Sequence, residues 1–394
     1  MTSADAYSAA AGVGGGVSRW RSEPFRVFFL LGVLFAWIGV GHWVTYAAGI
    51  TATYSCEFHG LVQMQAFMMA FAIGFLLTAL PRRTQSPPVS RVEMGVLVVA
   101  LLVTVAAAAA DLWVVSEIAY ASVFVVLAEF AVRRFLRREA GRRPPAAFVL
   151  LPIAAIQGLA GAGLMIAAQA QDAPAWPGEL GRLFIEQGVF LCLVIGIGSL
   201  VLPLMGGATP PPDLGSSPRE TRKAIAYAVA GFAIIASLIL EQVRFDRAGP
   251  ILRALVVAAG LAAGGALKMP GKPGAHRKLV WLSIWLMPIG LIVSGVWPDY
   301  RVPALHILFI GGFSLMAFGV GTHVALSHLD MERLALGRPM AVIVLGTAFL
   351  IALAARLAAD VSHTYFIHLG WGAAVWILGT VVWVIFFGPK MIRR

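Results

Sequence analysis

The chain has 394 residues, 59% of them hydrophobic and only 12% charged, with 30 Lys and Arg against 19 Asp and Glu. A soluble globule of this length would carry far more surface charge, and a membrane β-barrel would show short alternating strands instead of long unbroken apolar runs. The net charge of +11 invites a nucleic-acid reading, but its distribution along the chain argues for membrane topology instead.

In chain order, residues 1–22 are small, polar and basic. They read as a disordered cytoplasmic tail without the apolar core of a cleavable signal. Residues 23–394 then read as one all-α domain, a polytopic membrane protein with about twelve transmembrane helices. The apolar runs fall at roughly 27–49, 58–80, 92–114, 117–135, 147–169, 183–205, 223–243, 250–268, 279–297, 303–325, 339–359 and 366–387, each near the length that crosses a hydrocarbon core.

The loops between these runs alternate in charge. Arg19, Arg21 and Arg26 precede the first run; Arg82, Arg83 and Arg91 follow the second; Arg133, Arg134, Arg137, Arg138, Arg142 and Arg143 follow the fourth. Arg219, Arg222 and Lys223 follow the sixth, Lys268, Lys272, Arg277 and Lys278 the eighth, Arg333 and Arg338 the tenth, and Lys390, Arg393 and Arg394 close the chain. Every second loop is basic, as the positive-inside rule requires of an even number of spans, so both termini are expected in the cytoplasm. The same basic loops would contact anionic membrane lipids. Cys56 and Cys192 are expected at different depths and do not suggest a disulfide.

With this topology, His42, His59, His306, His363 and His368 all fall at the outer end of the bundle. Imidazole is the commonest protein ligand for haem iron and also suits copper, so a shared metal or haem site is the leading expectation. No C-x-x-C-H occurs, so haem would be b-type. Gly311, Gly312, Gly319 and Gly321 could let a flat macrocycle approach span ten, or could simply let helices pack. Arg301 and Arg356 could pair with propionates or snorkel to the interface. Cys56 and His59, followed by Met64, Met68 and Met69, form a weaker copper pattern. His323 and His328 lie towards the cytoplasmic end, where they could be a separate metal pair or interfacial residues beside Asp330 and Arg333. Asp111, Glu117, Glu129, Glu186 and Glu241 are acids near or within the spans; Glu129 and Glu186 are expected to be the most buried, and either could belong to a proton path. No nucleotide-binding loop, esterase elbow or zinc-peptidase motif is present.

Several of these segments resemble the NnrS family of bacterial membrane proteins. Pro24-Phe25-Arg26-Val27-Phe28-Phe29 is similar to the family's opening, and His59 with Gly74-Phe75-Leu76-Leu77-Thr78-Ala79-Leu80-Pro81 is similar to its second span, W-H-x-H-E-M followed by G-F-L-L-T-A-x-P. Ala304-Leu305-His306 resembles its A-L-H element, Leu326-Ser327-His328 its L-G-H-T-G-R element, and Phe387-Gly388-Pro389-Lys390 its ending. The resemblance implies a haem- and copper-containing protein of the bacterial cytoplasmic membrane, linked to nitric oxide metabolism or tolerance. It departs where Leu61, Val62 and Gln63 replace the second His, the Glu and the Met. It also departs where Leu329-Asp330-Met331 replaces T-G-R and where His323 replaces an Arg. These departures favour haem held by His59 and His306 over copper, with His42, His363 or His368 as substitutes and Cys56 or His323 as rearranged ligands.

The expected function is thus haem-dependent nitric oxide or redox chemistry, with nitric oxide and a redox partner as the implied partners. The rivals are a transporter for a metal or small solute, with histidines along its path, and an interaction subunit without a cofactor.

Overall fold

The computed structural model describes residues 18–138, 143–329 and 331–393. The tail through residue 17, Arg142, Asp330 and Arg394 lie outside them. Among the described residues the chain is helical throughout, with eleven helices long and apolar enough to cross a membrane and one shorter apolar helix. We number them α1 Phe25–Ala47, α2 Cys56–Thr84, α3 Arg91–Ala109, α4 Trp113–Leu136, α5 Ala146–Ala167 and α6 Trp176–Gly206. The second half comprises α7 Pro218–Gln242, α8 Ala248–Ala263, α9 Ala275–Val296, α10 Pro298–His328, α11 Met340–Ala359 and α12 Tyr365–Arg393. A single helical turn, Arg19–Ser22, precedes α1.

Local chemistry sets several boundaries. Ser90 and Glu93 form a reciprocal capping box that starts α3, satisfying two backbone N–H groups that a helix start leaves open. Ser55 caps α2 through the Phe58 N–H, and Ser217 caps α7 with Pro218 in its first turn. The expected eighth span is the one that falls short. Helix α8 ends at Ala263, and its 16 residues reach only about 24 Å at 1.5 Å per residue, below the ~30 Å of a hydrocarbon core.

Nine helices surround α2, α6 and α10, which are the three most buried spans. Helix α2 touches both α6 and α10, while α12 packs along α1 and closes the first half of the bundle on the second. Each of the three inner helices contains a π-helical stretch: Val62–Met68 in α2, Phe184–Gly188 in α6 and Ile307–Ser314 in α10. A π turn admits an extra residue and rotates the side chains beyond it, and such turns concentrate at functional sites. Around the inner helices the core is aromatic. Phe318 meets Phe67, Phe71, Phe349, Trp376 and Trp383 edge-on or tilted. The indole N–H of fully buried Trp383 donates to the Thr322 hydroxyl at 2.8 Å, the partner that a buried Trp requires.

The basic end is tied by arginines that reach carbonyls and carboxylates across the chain. Arg26 donates to the Met391 carbonyl at 2.8 Å, which brings the two ends of the domain to the same face. Arg134 pairs with Glu93 and also donates to the Pro88 carbonyl, Arg277 donates to the carbonyls of Met205 and Ala335, and Arg83 pairs with Asp213. The basic loops therefore serve packing, beyond the orientation expected of them. Glu23 gathers three partners, with Arg26 at 2.5 Å, His328 at 2.9 Å and Arg82 at 3.6 Å.

Burial alone would raise the Glu23 pKa, but the hydrogen bonds and charges of His328 and Arg26 outweigh it and lower it from 4.5 to about 2. A depressed carboxyl contributes stability above its unfolded pKa and loses it as pH falls through the folded value. The difference in melting temperature between wild type and Glu23→Gln should therefore be full above pH 4.5 and shrink as pH falls towards 2. Thermal scans in detergent across that range check it; a constant difference would show that Glu23 acts through packing alone.

Candidate cofactor site

At the end of the bundle opposite the Glu23 cluster, α1, α2 and α10 bring three of the expected histidines into one region. The rings of His42 and His59 are 5.8 Å apart, with Trp43 packed 4.5 Å from the first and 5.7 Å from the second. His306 lies within electrostatic reach of both His59 and Arg356. All three rings are half-buried.

Their hydrogen bonds share one feature. Nδ1 of His42 and Nδ1 of His59 both bond the Gly39 carbonyl, at 3.0 and 2.8 Å, and Nδ1 of His306 bonds the Val302 carbonyl at 2.8 Å. A carbonyl can only accept, so each Nδ1 carries the proton and each neutral ring keeps its lone pair on Nε2. That is the tautomer and the outer support that metal-ligating imidazoles usually have. Nε2 of His42 is buried with no protein partner. Gly39 makes the shared carbonyl accessible: a Cβ there would lie 2.4 Å from Gln63 Nε2 and 3.0 Å from Val62. Only glycine permits α1 and α2 to approach this closely.

The positions flanking these histidines have other partners. Gln63, standing where the resembled motif has Met, donates to the Ala36 carbonyl at 3.1 Å and ties α2 to α1. Met64, Met68 and Met69 are buried in the core, whereas Cys56 is exposed at the first residue of α2, one turn before His59. Both cysteines are free. Arg301 is engaged by Glu241 at 2.5 Å, and the same carboxylate holds fully buried Arg253 at 2.5 Å. Arg356 pairs with Asp360 and faces the Tyr365 ring, and it lies within electrostatic reach of both His59 and His306.

The other expected ligands fall elsewhere. His363 is exposed in the loop before α12, and His368 bonds Ser362 and Thr364 of that same loop. His323 and His328 lie on the basic end and do not face each other. His328 joins Glu23 and Arg82, while His323 Nδ1 lies 3.2 Å from His276 Nε2 with the two rings stacked. His276, fully buried with Nδ1 unpartnered, was not expected from sequence. It sits beside Arg277 at the start of α9, where a basic loop signal hides it. Among the described residues no three His, Cys, Asp or Glu side chains converge on one point.

The glycines of α10 resolve in favour of helix packing. A Cβ on Gly311 would lie 2.7 Å from Leu286, on Gly312 2.7 Å from Met287, on Gly319 2.5 Å from Val280 and on Gly321 3.1 Å from Phe71. Their thin backbone lets α9 and α2 pack closely and leaves no slot for a macrocycle. The depth expected for Glu129 is also corrected. It faces outward, 37% exposed, and pairs with Arg133 on the next turn. Glu117 is instead the deep acid of α4, at 2% exposure. Hydropathy does not separate the two acids, because the exposed face of α4, with Val114, Val115, Ile118 and Val125, is as apolar as its buried one.

Because Val280 is β-branched and held in a helix, it cannot turn aside easily. Gly319→Ala should therefore cost about 1–3 kcal/mol of overpacking, read as a lower melting temperature. Any chromophore bound at His42, His59 and His306 should keep its absorption maximum; a shifted maximum at full stability would return these glycines to the cofactor site.

No curated protein matches the chain. The model of the NnrS protein family matches residues 19–394, nearly its whole length. Together with the all-helical membrane fold, this match shows that the chain belongs to the NnrS family.

Proposed function

We propose that this chain is a b-type haem-binding protein of the bacterial cytoplasmic membrane, with its cofactor near the outer end, acting in nitric oxide metabolism or tolerance. One observation carries the cofactor part: three neighbouring imidazoles are locked on backbone carbonyls through Nδ1, with Nε2 left as donor. His59 and His306 would hold its iron, because they stand on two of the three innermost helices at the entrances to π-helical stretches. His42 is the third donor, and Arg356 is the cation placed to meet a propionate. Arg301 serves Glu241 and is withdrawn from that role.

Haem would supply an iron centre capable of nitric oxide binding or electron transfer. The chain's own residues orient the imidazoles, exclude lipid through the Trp43, Tyr54 and Phe366 rings, and balance propionate charge. The nitric oxide link rests on family membership. Copper draws less support, since Cys56 and the three methionines are separated by burial. A histidine-lined transport path also draws less. The eight histidines divide between the two ends of the bundle instead of tracing a route through it.

Reduced-minus-oxidised absorbance spectra and metal content of purified protein from haem-replete cells test this reading. Wild type should show a b-type signal that His59→Ala and His306→Ala each abolish or shift. A colourless protein without iron would overturn it. A Soret band unmoved by nitric oxide would exclude gas binding and leave electron transfer.

A further inference from the structure

Beside the histidines, a separate cavity of about 70 Å³, lined by both polar and apolar side chains, enters the bundle between α2, α4, α5 and α6. Its mouth is formed by exposed Cys56, Glu57 and Arg182, and its floor by Gln65 and Glu117, at 3% and 2% exposure. From Glu57 to Gln65 along α2 is about 12 Å of helix rise, which sets Gln65 that far below the mouth, beside Glu117 in the second turn of α4. Glu186 lines the wall between mouth and floor.

The floor is incompletely satisfied. Gln65 Nε2 donates to Glu117 Oε1 at 2.9 Å, but Glu117 Oε2 and Gln65 Oε1 have no partner. Those open acceptors belong to an acid and an amide on different helices. A buried carboxylate in an apolar medium requires a proton or a cation to offset its charge, and orphan acceptors at this depth call for donors. The volume admits several waters, which could provide them. Two of the three π-helical stretches frame the cavity: Gln65 lies in Val62–Met68 and Glu186 in Phe184–Gly188. The π turns aim these side chains at the same space.

We propose that this cavity is a proton-exchange site open to the outer side, with Glu117 as its terminal acceptor and Glu186 as the group that admits the proton. A hydronium ion at the mouth would give its proton to the Glu186 carboxylate and leave as water. Cavity water would then relay a proton from Glu186 to Glu117 Oε2, and release would follow the same path in reverse. The charged and titratable groups around this path are Glu57, Cys56 and Arg182 at the mouth, Arg301 within reach of Glu186, and Tyr120 beside Glu117. Gln65 is a positioning residue that holds one carboxyl oxygen and leaves the other facing the cavity. The site goes beyond the haem reading and stands or falls without it.

Infrared spectroscopy of full-length protein, in light and heavy water across a pH series, tests the site. Wild type should show a carboxyl C=O stretch that diminishes as pH is raised and shifts in heavy water. The stretch should be lost in Glu117→Gln, moved in Glu117→Asp and unchanged in Glu129→Gln. If Glu117→Gln does not fold, Glu117→Asp decides: a moved band supports the assignment and an unmoved one overturns it. A wild-type band absent or inert to heavy water would overturn it too. So would a carboxylate band that answers to sodium but not to pH, which would make this a metal-cation site. Chromophore loss with an intact band would sink only the haem reading.

Discussion

Every buried polar group in this bundle must find its partner inside the protein, because the surrounding hydrocarbon offers none. That constraint organises both ends of the molecule. At the basic end, arginines reach loop carbonyls and carboxylates: Arg26 holds the end of α12, Arg134 the loop before α3, and Arg277 the ends of α6 and the α10–α11 connection. At the other end, Glu241 joins Arg253 of α8 and Arg301 of α10. A buried pair of this kind is weak evidence of net stability, yet removing one member would strand the other in an apolar medium. It therefore helps specify how the short helix α8 sits against its neighbours.

Against that background of satisfied groups, the exceptions acquire meaning. Among them, His42 Nε2, Glu117 Oε2 and Gln65 Oε1 are buried and unpartnered and fall in two adjacent regions at the end opposite the Glu23 cluster, while Gln157, Gln187 and His276 also leave buried atoms open. One is a set of neutral imidazoles whose Nε2 lone pairs are left open. The other is a set of oxygen acceptors suited to protons. Softness and charge separate the two chemistries, and the structure separates them physically by placing the histidines on α1, α2 and α10 and the acids on α4 and α6. Helix α2 contributes to both, with His59 before its π-helical stretch and Gln65 inside it. A nitric oxide or redox reaction at the first region would need charge balanced nearby, which gives the adjacency a chemical rationale.

Close approach of helices is the means by which these sites are built. Gly39 lets α1 come near enough to α2 for one carbonyl to hold two histidines, while Gly311, Gly312 and Gly319 seat α10 against α9. In an apolar solvent, helix association depends on close packing and on hydrogen bonds. The glycines and the polar contacts are thus two parts of one device. The π turns complete it by rotating functional side chains inward without breaking the backbone ladder.

Much of this was legible in the sequence. Twenty-residue apolar runs specify membrane helices, alternating basic loops give their expected sense, and alternation groups five histidines at one end, of which packing brings only His42, His59 and His306 into one region. The family resemblance rests on motif residues whose spacing is also in the chain. Tertiary structure decided the rest, because it depends on which helices touch. Only packing shows that Gly39 serves two imidazoles, that Arg301 belongs to Glu241, that His323 faces His276, and that Glu117 is buried while Glu129 meets solvent or lipid. Hydropathy cannot separate a helix face that meets lipid from one that meets other helices, since both are apolar; the sequence by itself determines that the chain crosses the membrane, and the packing determines which polar atoms are left open inside it.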